Sequence, residues 1–597
     1  MLDCIIRGGT VVDGTGAIPR TGDVGIQDGL IVALGERLTQ RARREIDADG
    51  CVVAPGWIDI HTHYDGQVAW DDKLEPSAAH GVTTVVMGNC GVGFAPVRQD
   101  AADALIEIME GVEDIPGTAL HAGIPWGAWQ TFPEYLNYLA GRQYAVDIGA
   151  QVPHSAVRFY TMGQRGADHQ LASSEESAAM AQIVEEGVRA GALGFSTSRT
   201  IIHHSTKGEA IPGTFADEPE LQAIAKALQR TGRGVIEVIP AGVAGSLEPT
   251  GSDEARPTRH VGGEHHTLSD ELQLMRRLSL VSGGPVTFTT VQRGGDPQEW
   301  RRTLDFCNDA NQQGAALRPQ FASRGTGIIT GLTGYHLFMK RPGYLKLAQL
   351  PLAQRVAQMR TPAVKEEILR ERGTLDARHA GPEDIALNLF EPLLDHTFRM
   401  ADPIDYEPTA AQSVAQMARA QGRDPVEFMY DMLLENDGLA FATALSFNYP
   451  AYSLDHCATM FGSPAAVLGL GDAGAHVNFI CDMSLPTFQL THWVRDRTRG
   501  PRLPLAAVIA KQTRDNALLY GLTDRGALQA GLRADINVID LERLKIDVPV
   551  MYHDLPSGGS RIMQHARGYV ATLVAGAITR VQDQDTGARP GRLVRGH

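Results

Sequence analysis

Residues 56–66 read GWIDIHTHYDG and residues 80–96 read HGVTTVVMGNCGVGFAP. His61 and His63 end an apolar run over 52–60 that closes in Asp-Ile. Side chains on an extended strand alternate between faces, so His61 and His63 share one face. Two imidazoles on one face are half of a zinc-type site. Taken alone, the His-x-His pair reads equally well as two hydrogen-bonded strand histidines, because so short a motif recurs by chance. Cys90 shifts that balance. It follows a second apolar run, 82–87, where a thiolate at the next strand end completes the cluster.

Working outward, apolar runs alternate with helical stretches. The runs are 52–60, 82–87, 147–152, 192–196, 234–239, 285–291, 439–446 and 466–471, and helical patterns over 174–190 and 217–230 lie between them. Strands alternating with helices imply a parallel sheet with crossover helices, and eight such runs suit a (β/α)8 TIM barrel. In that fold, polar residues at the carboxyl ends of strands carry the chemistry. His61, Cys90, Glu237, Gln292 and Asp472 all occupy such ends. Residues 1–55 and 528–597 have another texture, short strands between Gly-rich turns, and are expected to form one small β-sandwich domain from both termini. The barrel then spans 56–527. Residues 318–436 are too long for one crossover and read as a largely helical insertion beside its mouth, either a lid or an oligomer contact.

Composition narrows the function. The chain has 597 residues, 43% hydrophobic and 21% charged, which is ordinary for a globular protein with a large core. Fifty-four basic against 70 acidic residues give a net charge of −16, which argues against nucleic acid or an acidic membrane surface as partner. Six scattered cysteines do not form a disulfide framework. The opening MLDCIIRGGTVVDG reads as a strand rather than a signal peptide, and no stretch approaches the roughly 18 apolar residues that span a bilayer. A cytoplasmic, reduced protein acting on a small molecule is expected. A homo-oligomer is the default for such an enzyme.

The run VLGLGDAGAHV (467–477) sets Asp472 just after an apolar strand. A carboxylate there can ligate a metal and accept a proton from water whose pKa the metal lowers from 15.7 toward about 7. An Asp in a Gly-rich turn is also common without any such role. With HTHYDG (61–66), GVTTVVMGNCGVGFAP (81–96), GALGFSTS (191–198), LGLGDAGAHV (468–477) and RGALQAGLRADINVID (525–540) on one chain, the sequence resembles the amidohydrolase superfamily, in its D-aminoacylase (N-acyl-D-amino-acid deacylase) branch. The resemblance covers nearly the whole chain, and implies a TIM barrel carrying a small β-sandwich. It implies His61 and His63 as metal ligands from the first strand, Cys90 as the thiolate ligand from the second, and Asp472 as ligand and general base from the eighth. Thiolate with imidazole favours zinc.

The resemblance also implies histidines at the ends of strands five and six, and here those segments read GVIEVIPAG (234–242) and VTFTTVQRG (286–294). Glu237 and Gln292 stand there instead. One zinc is therefore expected, with a second if Glu237 acts as a ligand; Glu237 reads otherwise as a barrel carboxylate paired with an arginine. Gln292 is a candidate to hold a substrate carbonyl or a water. Weaker substrate-binding candidates are His154 after strand three and Arg199 after strand four, the latter also readable as a structural salt bridge. Asp59 and His476 are candidates to orient the ligands. The adjacent pairs His203–His204 and His265–His266 are expected at the surface, because neighbours on an extended chain point to opposite faces. The expected activity is hydrolysis of an amide-type C–N bond in a small N-acyl amino acid or related compound, by a metal-activated water with Asp472 as base. Hydrolysis of a lactone, cyclic amide or other ester-like bond at the same site is one alternative. A lapsed enzyme kept as a binding or scaffold protein is another.

Overall fold

A computed structural model describes residues 1–243, 267–373 and 382–596. The His265–His266 pair lies outside the described residues. Eight parallel strands form the central sheet: Trp57–Asp59 (β1), Val82–Met87 (β2), Asp147–Pro153 (β3), Gly194–Ser198 (β4), Val235–Ile239 (β5), Val286–Thr289 (β6), Leu317–Phe321 (β7) and Val467–Leu468 (β8). They pair in chain order from β1 to β8. A parallel bridge between Thr62 and Ala473 joins the first strand's continuation to the last's, so the sheet curls round on itself. Helices such as Ser174–Arg189 and Glu218–Thr231 cover the outside, and both start on side-chain caps, Ser173 and Asp217.

Two of the expected runs are placed differently. The run 52–60 is two strands that belong to different sheets. Val52–Pro55 pairs with Ile536–Ile539 of the terminal sheet, and β1 pairs with β2. The chain changes sheets at Gly56, where a Cβ would lie 2.2 Å from the Thr83 side chain. The run 439–446 is not a barrel strand. Phe441–Phe447 is the middle of a separate antiparallel sheet with Thr326–Gly331 and Thr397–Met400. The seventh strand is β7, LRPQF, inside the segment expected to be inserted. Its Arg318 and Pro319 disguise it, because a charge and a residue without an N–H are both unusual in a buried parallel strand. The excursion between β7 and β8 holds that antiparallel sheet as well as helices such as Leu352–Met359 and Pro425–Leu433, around a core of its own.

Both termini build one mixed nine-stranded sheet. Leu2–Val11 branches, pairing with Ala42–Asp47 along its first half and with Val52–Pro55 at its end. Its core joins Ile6, Val24 and Val53 to Ile536, Val538 and Leu573. Not all of 528–597 stays there: Gly591 and Leu593 bridge back to Tyr144 and Ile148 beside the start of β3.

A buried ion cluster fastens this tail and the terminal sheet to the barrel. Asp147 opens β3 and is 1% exposed. It accepts hydrogen bonds from Arg525 Nη1 at 2.6 Å, Arg533 Nη2 at 3.0 Å and the Arg592 N–H at 2.8 Å. Removing one partner of a buried pair strands the other charge, at a cost of about 3–5 kcal/mol. Asp147→Ala is therefore expected to lower stability by about that amount, read as a shift of the urea midpoint. A shift no larger than a surface substitution gives would show that the cluster does not fasten the domains.

Candidate metal centre

The site forms where β1, β2, β5, β7 and β8 end. Beyond Asp59 the chain stays extended. Thr62 donates to the Val86 carbonyl through N–H (3.1 Å) and Oγ1 (2.8 Å), which turns it toward β2. His61 and His63, one residue to either side, point the other way, with ring centroids 5.4 Å apart. Both Nε2 atoms face Cys90 Sγ, at 3.4 Å from His61 and 3.8 Å from His63. Asp472 Oδ1 lies 3.4 Å from His61 Nε2 and 3.9 Å from His63 Nε2.

Local backbone explains why Cys90 faces inward. It has φ +57°, a left-handed conformation that non-glycine residues adopt only where the surroundings enforce it. Here they do. Asn89 donates from Nδ2 to the carbonyls of Thr62 and Val86, the Gly91 N–H donates to Ser196 Oγ, and the Cys90 N–H donates to Glu237 Oε2 at 3.0 Å. A Cβ on Gly91 would meet the Ser198 nitrogen at 2.9 Å, so the GNCG turn needs its second glycine. Asp472 and His476 share the left-handed conformation, at φ +47° and +51°.

Burial sets the electrostatics. His61 and His63 are 1% exposed, whereas the Asp472 side chain keeps 18% and is the member of the cluster open to the mouth. Desolvation pushes the Cys90 thiol and the Asp472 carboxyl well above their ordinary ranges, and holds the His61 imidazole near 4 and His63 well below its usual value. Burial thus disfavours charge on each member of the cluster, and their donor atoms aim at one point. A divalent cation fits it. The donor atoms of His61, His63 and Cys90 all lie within 4.8 Å of one another, and a cation there would ionise the thiol that burial keeps protonated.

The supporting residues are partly those expected. Asp59 Oδ1 accepts the His61 N–H at 3.2 Å, and burial raises its carboxyl to about 7. Glu237 is fully buried, and burial raises it to about 8; Oε2 takes the Cys90 N–H and Oε1 has no hydrogen-bond partner, so it pairs with a backbone amide rather than an arginine. His476 Nε2 is 3.6 Å from Glu113 Oε2, so His476 meets a carboxylate other than Asp472. His154 is committed elsewhere: Nδ1 bonds Thr197 Oγ1 and Nε2 bonds Glu220 Oε1, each at 2.8 Å. Arg199 Nε is bonded to both Glu271 oxygens, at 3.0 and 2.7 Å, which is the structural salt bridge. The Gln292 side chain donates from Nε2 to the Pro297 carbonyl at 3.2 Å with Oε1 unpaired, and its backbone N–H donates to Asn448 Oδ1 at 2.7 Å. His203 and His204 are half-buried rather than at the surface, and His203 Nδ1 lies 2.9 Å from Ser198 Oγ. Two residues escaped sequence reasoning. Gln320 Oε1 is 3.0 Å from His61 Nδ1, and it went unseen because β7 did; Gly469 leaves it room, since a Cβ there would come within 2.3 Å. Glu113 Oε1 is 3.2 Å from His63 Nδ1, and no motif marks it.

A histidine pair after the first strand, a cysteine after the second and an aspartate after the eighth converge at the mouth of a barrel, with donor atoms spaced as a divalent cation requires. The chain matches the profile of the amidohydrolase family over residues 44–580 and belongs to that family. Over 600 aligned residues it is 32% identical to the N-acyl-D-glutamate deacylase of Alcaligenes xylosoxydans xylosoxydans, covering 100% of this chain and 96% of the relative. Its fold is similar to that of the N-acyl-D-glutamate deacylase of Bordetella bronchiseptica complexed with zinc and a phosphonate inhibitor. That likeness has a TM-score of 0.61 at 22% identity and covers 100% of this chain and 99% of the other. A D-aminoacylase with a binuclear metal centre gives a TM-score of 0.61 at 21% identity, with 100% of both chains covered.

If Cys90 is a ligand, Cys90→Ala is expected to weaken metal binding beyond the 10–100-fold that loss of an outer-shell partner costs. Chelator competition on the purified protein measures this. Wild-type affinity in the variant would remove Cys90 from the ligand set.

Proposed function

We propose that this protein hydrolyses the amide C–N bond of a small N-acyl amino acid, using one zinc held by His61, His63, Cys90 and Asp472. The observation that carries this reading is the convergence of two imidazoles and a thiol on one point, with Asp472 the partly exposed member. The full-length likeness to an N-acyl-D-glutamate deacylase supports the substrate class. A bound zinc supplies Lewis acidity, polarising the acyl carbonyl and acidifying water.

The chain's own residues do the rest. Asp472 takes the proton that water loses as its oxygen bonds the acyl carbon, then gives that proton to the nitrogen as the C–N bond breaks. The left-handed turn holds its carboxylate beside the two Nε2 atoms. Gln320, accepting from His61 Nδ1–H, leaves the Nε2 lone pair directed at the cluster. Glu237 holds the Cys90 turn through the amide and keeps one oxygen free. One ion is our reading because Glu237 already spends an oxygen on that amide; a second would use Oε1. No helix among the described residues is long and apolar enough to cross a membrane. All six cysteines are buried and unpaired, which supports a reducing, cytoplasmic setting.

Asp472→Asn is expected to lose roughly 10²–10⁴-fold in kcat, the usual contribution of a general acid–base. The assay follows amine release from N-acyl-D-amino acids with acidic and neutral side chains, with the L-isomers and a lactone alongside. Zinc-loaded protein that cleaves the lactone but none of the N-acyl amino acids would refute the deacylase reading.

A further inference from the structure

Glu113 is a buried carboxylate in a place where a carboxylate is costly. It is 1% exposed and ends the helix Ala102–Glu113, whose carboxyl-terminal dipole disfavours negative charge. Burial, and then the acids Asp472, Asp65 and Glu237, push its carboxyl well above the usual range. A buried charge needs a partner or it destabilises the fold. The groups within reach are two imidazoles. Oε1 lies 3.2 Å from His63 Nδ1, and Oε2 lies 3.6 Å from His476 Nε2. His63 Nδ1 and Glu113 Oε1 are both buried, and neither makes an aligned hydrogen bond to the other or to any further group. Among the described residues, the donors close enough together to hold an ion are those of His61, His63 and Cys90, so Glu113 acts through His63.

The backbone around Glu113 reaches the same loop that carries Asp472. The His476 N–H donates to the Glu113 carbonyl. Asp114 accepts the Asn478 N–H at 2.9 Å and the Tyr335 hydroxyl at 2.6 Å. One helix end therefore grips the 476–478 backbone while its carboxylate faces a first-strand histidine.

We propose that Glu113 is the positioning residue of the metal centre. By facing Nδ1–H of His63 as its acceptor, at 3.2 Å, it holds the imidazole in the tautomer whose Nε2 lone pair faces Cys90 and Asp472. By meeting His476 it ties that tautomer to the loop bearing the general base. A carboxylate on the far nitrogen of a ligating histidine raises its basicity, and losing such a partner typically costs 10–100-fold in metal affinity. The inference rests on the metal-centre reading above, and its test separates the two.

The test uses the full-length protein, wild type, Glu113→Leu and Glu113→Gln. Zinc affinity is measured by chelator competition, the unfolding midpoint on metal-free protein, and the His63 tautomer by ¹⁵N NMR of metal-free wild type. Glu113→Leu is expected to bind zinc 10–100-fold more weakly while the metal-free protein still folds. Glu113→Gln is expected to lose less, since its carbonyl still accepts from Nδ1–H. Wild-type His63 is expected to carry its proton on Nδ1. Unchanged zinc affinity in folded Glu113→Leu, or a proton on Nε2 in the wild type, would overturn the proposal. Should the leucine variant fail to fold, the wild-type tautomer decides. Absence of zinc binding in the wild type would instead defeat the metal-centre reading, and the tautomer would still report on Glu113.

Discussion

The barrel closes through two backbone hydrogen bonds, from the Asp472 N–H to the His61 carbonyl at 3.0 Å and from the His63 N–H to the Ala473 carbonyl at 2.8 Å. Each contributes about 0.5–1.5 kcal/mol net, little beside the burial of a core this size. Their weight is geometric. They join residues about 400 positions apart along the chain and set them in register, so that His61 and His63 project on one side and Asp472 meets them there. Thr62, between the histidines, spends its side chain and amide on β2 and leaves them no freedom to rotate out.

Given that seam, the site is a problem in desolvation. Asp59, Glu113, Glu237, Asp472 and Cys90 crowd two imidazoles in a region almost without water. Their partners are backbone N–H groups and histidine nitrogens, not lysine or arginine. Burial raises every acid and lowers every imidazole, so without a cation the surroundings disfavour charge on each of them. A divalent cation changes the sign of that balance, because a thiolate and a carboxylate become favourable beside it. The left-handed turns at Cys90 and Asp472 belong to the same account: each points a donor inward that an extended backbone would not.

Much of this was legible along the chain. Six of the eight barrel strands announce themselves as short apolar runs, and the first strand does so fused to its neighbour in the terminal sheet. His61, His63, Cys90 and Asp472 were readable because each sits at a strand end in a local pattern. β7 was not readable: LRPQF breaks the apolar pattern with a charge and a proline, while the tidier Phe441–Phe447 satisfies it on a different sheet. Gln320 was lost with that strand. Glu113 was lost for another reason. It lies at the end of a helix, 23 residues beyond Cys90, and only packing brings it to His63.

What the sequence determined by itself is therefore the local chemistry: alternation puts His61 and His63 on one face, glycines flank Cys90, and termini of matching texture pair in one sheet. What only the tertiary structure decided is which of the remaining polar residues turn toward that chemistry. Glu237, Gln320 and Glu113 reach the cluster, whereas His154, Arg199 and Gln292 bond to other groups. Periodicity encodes the face a side chain takes on its own strand. The partner it meets depends on strand order, register and barrel closure, which are long-range contacts that no window of sequence contains.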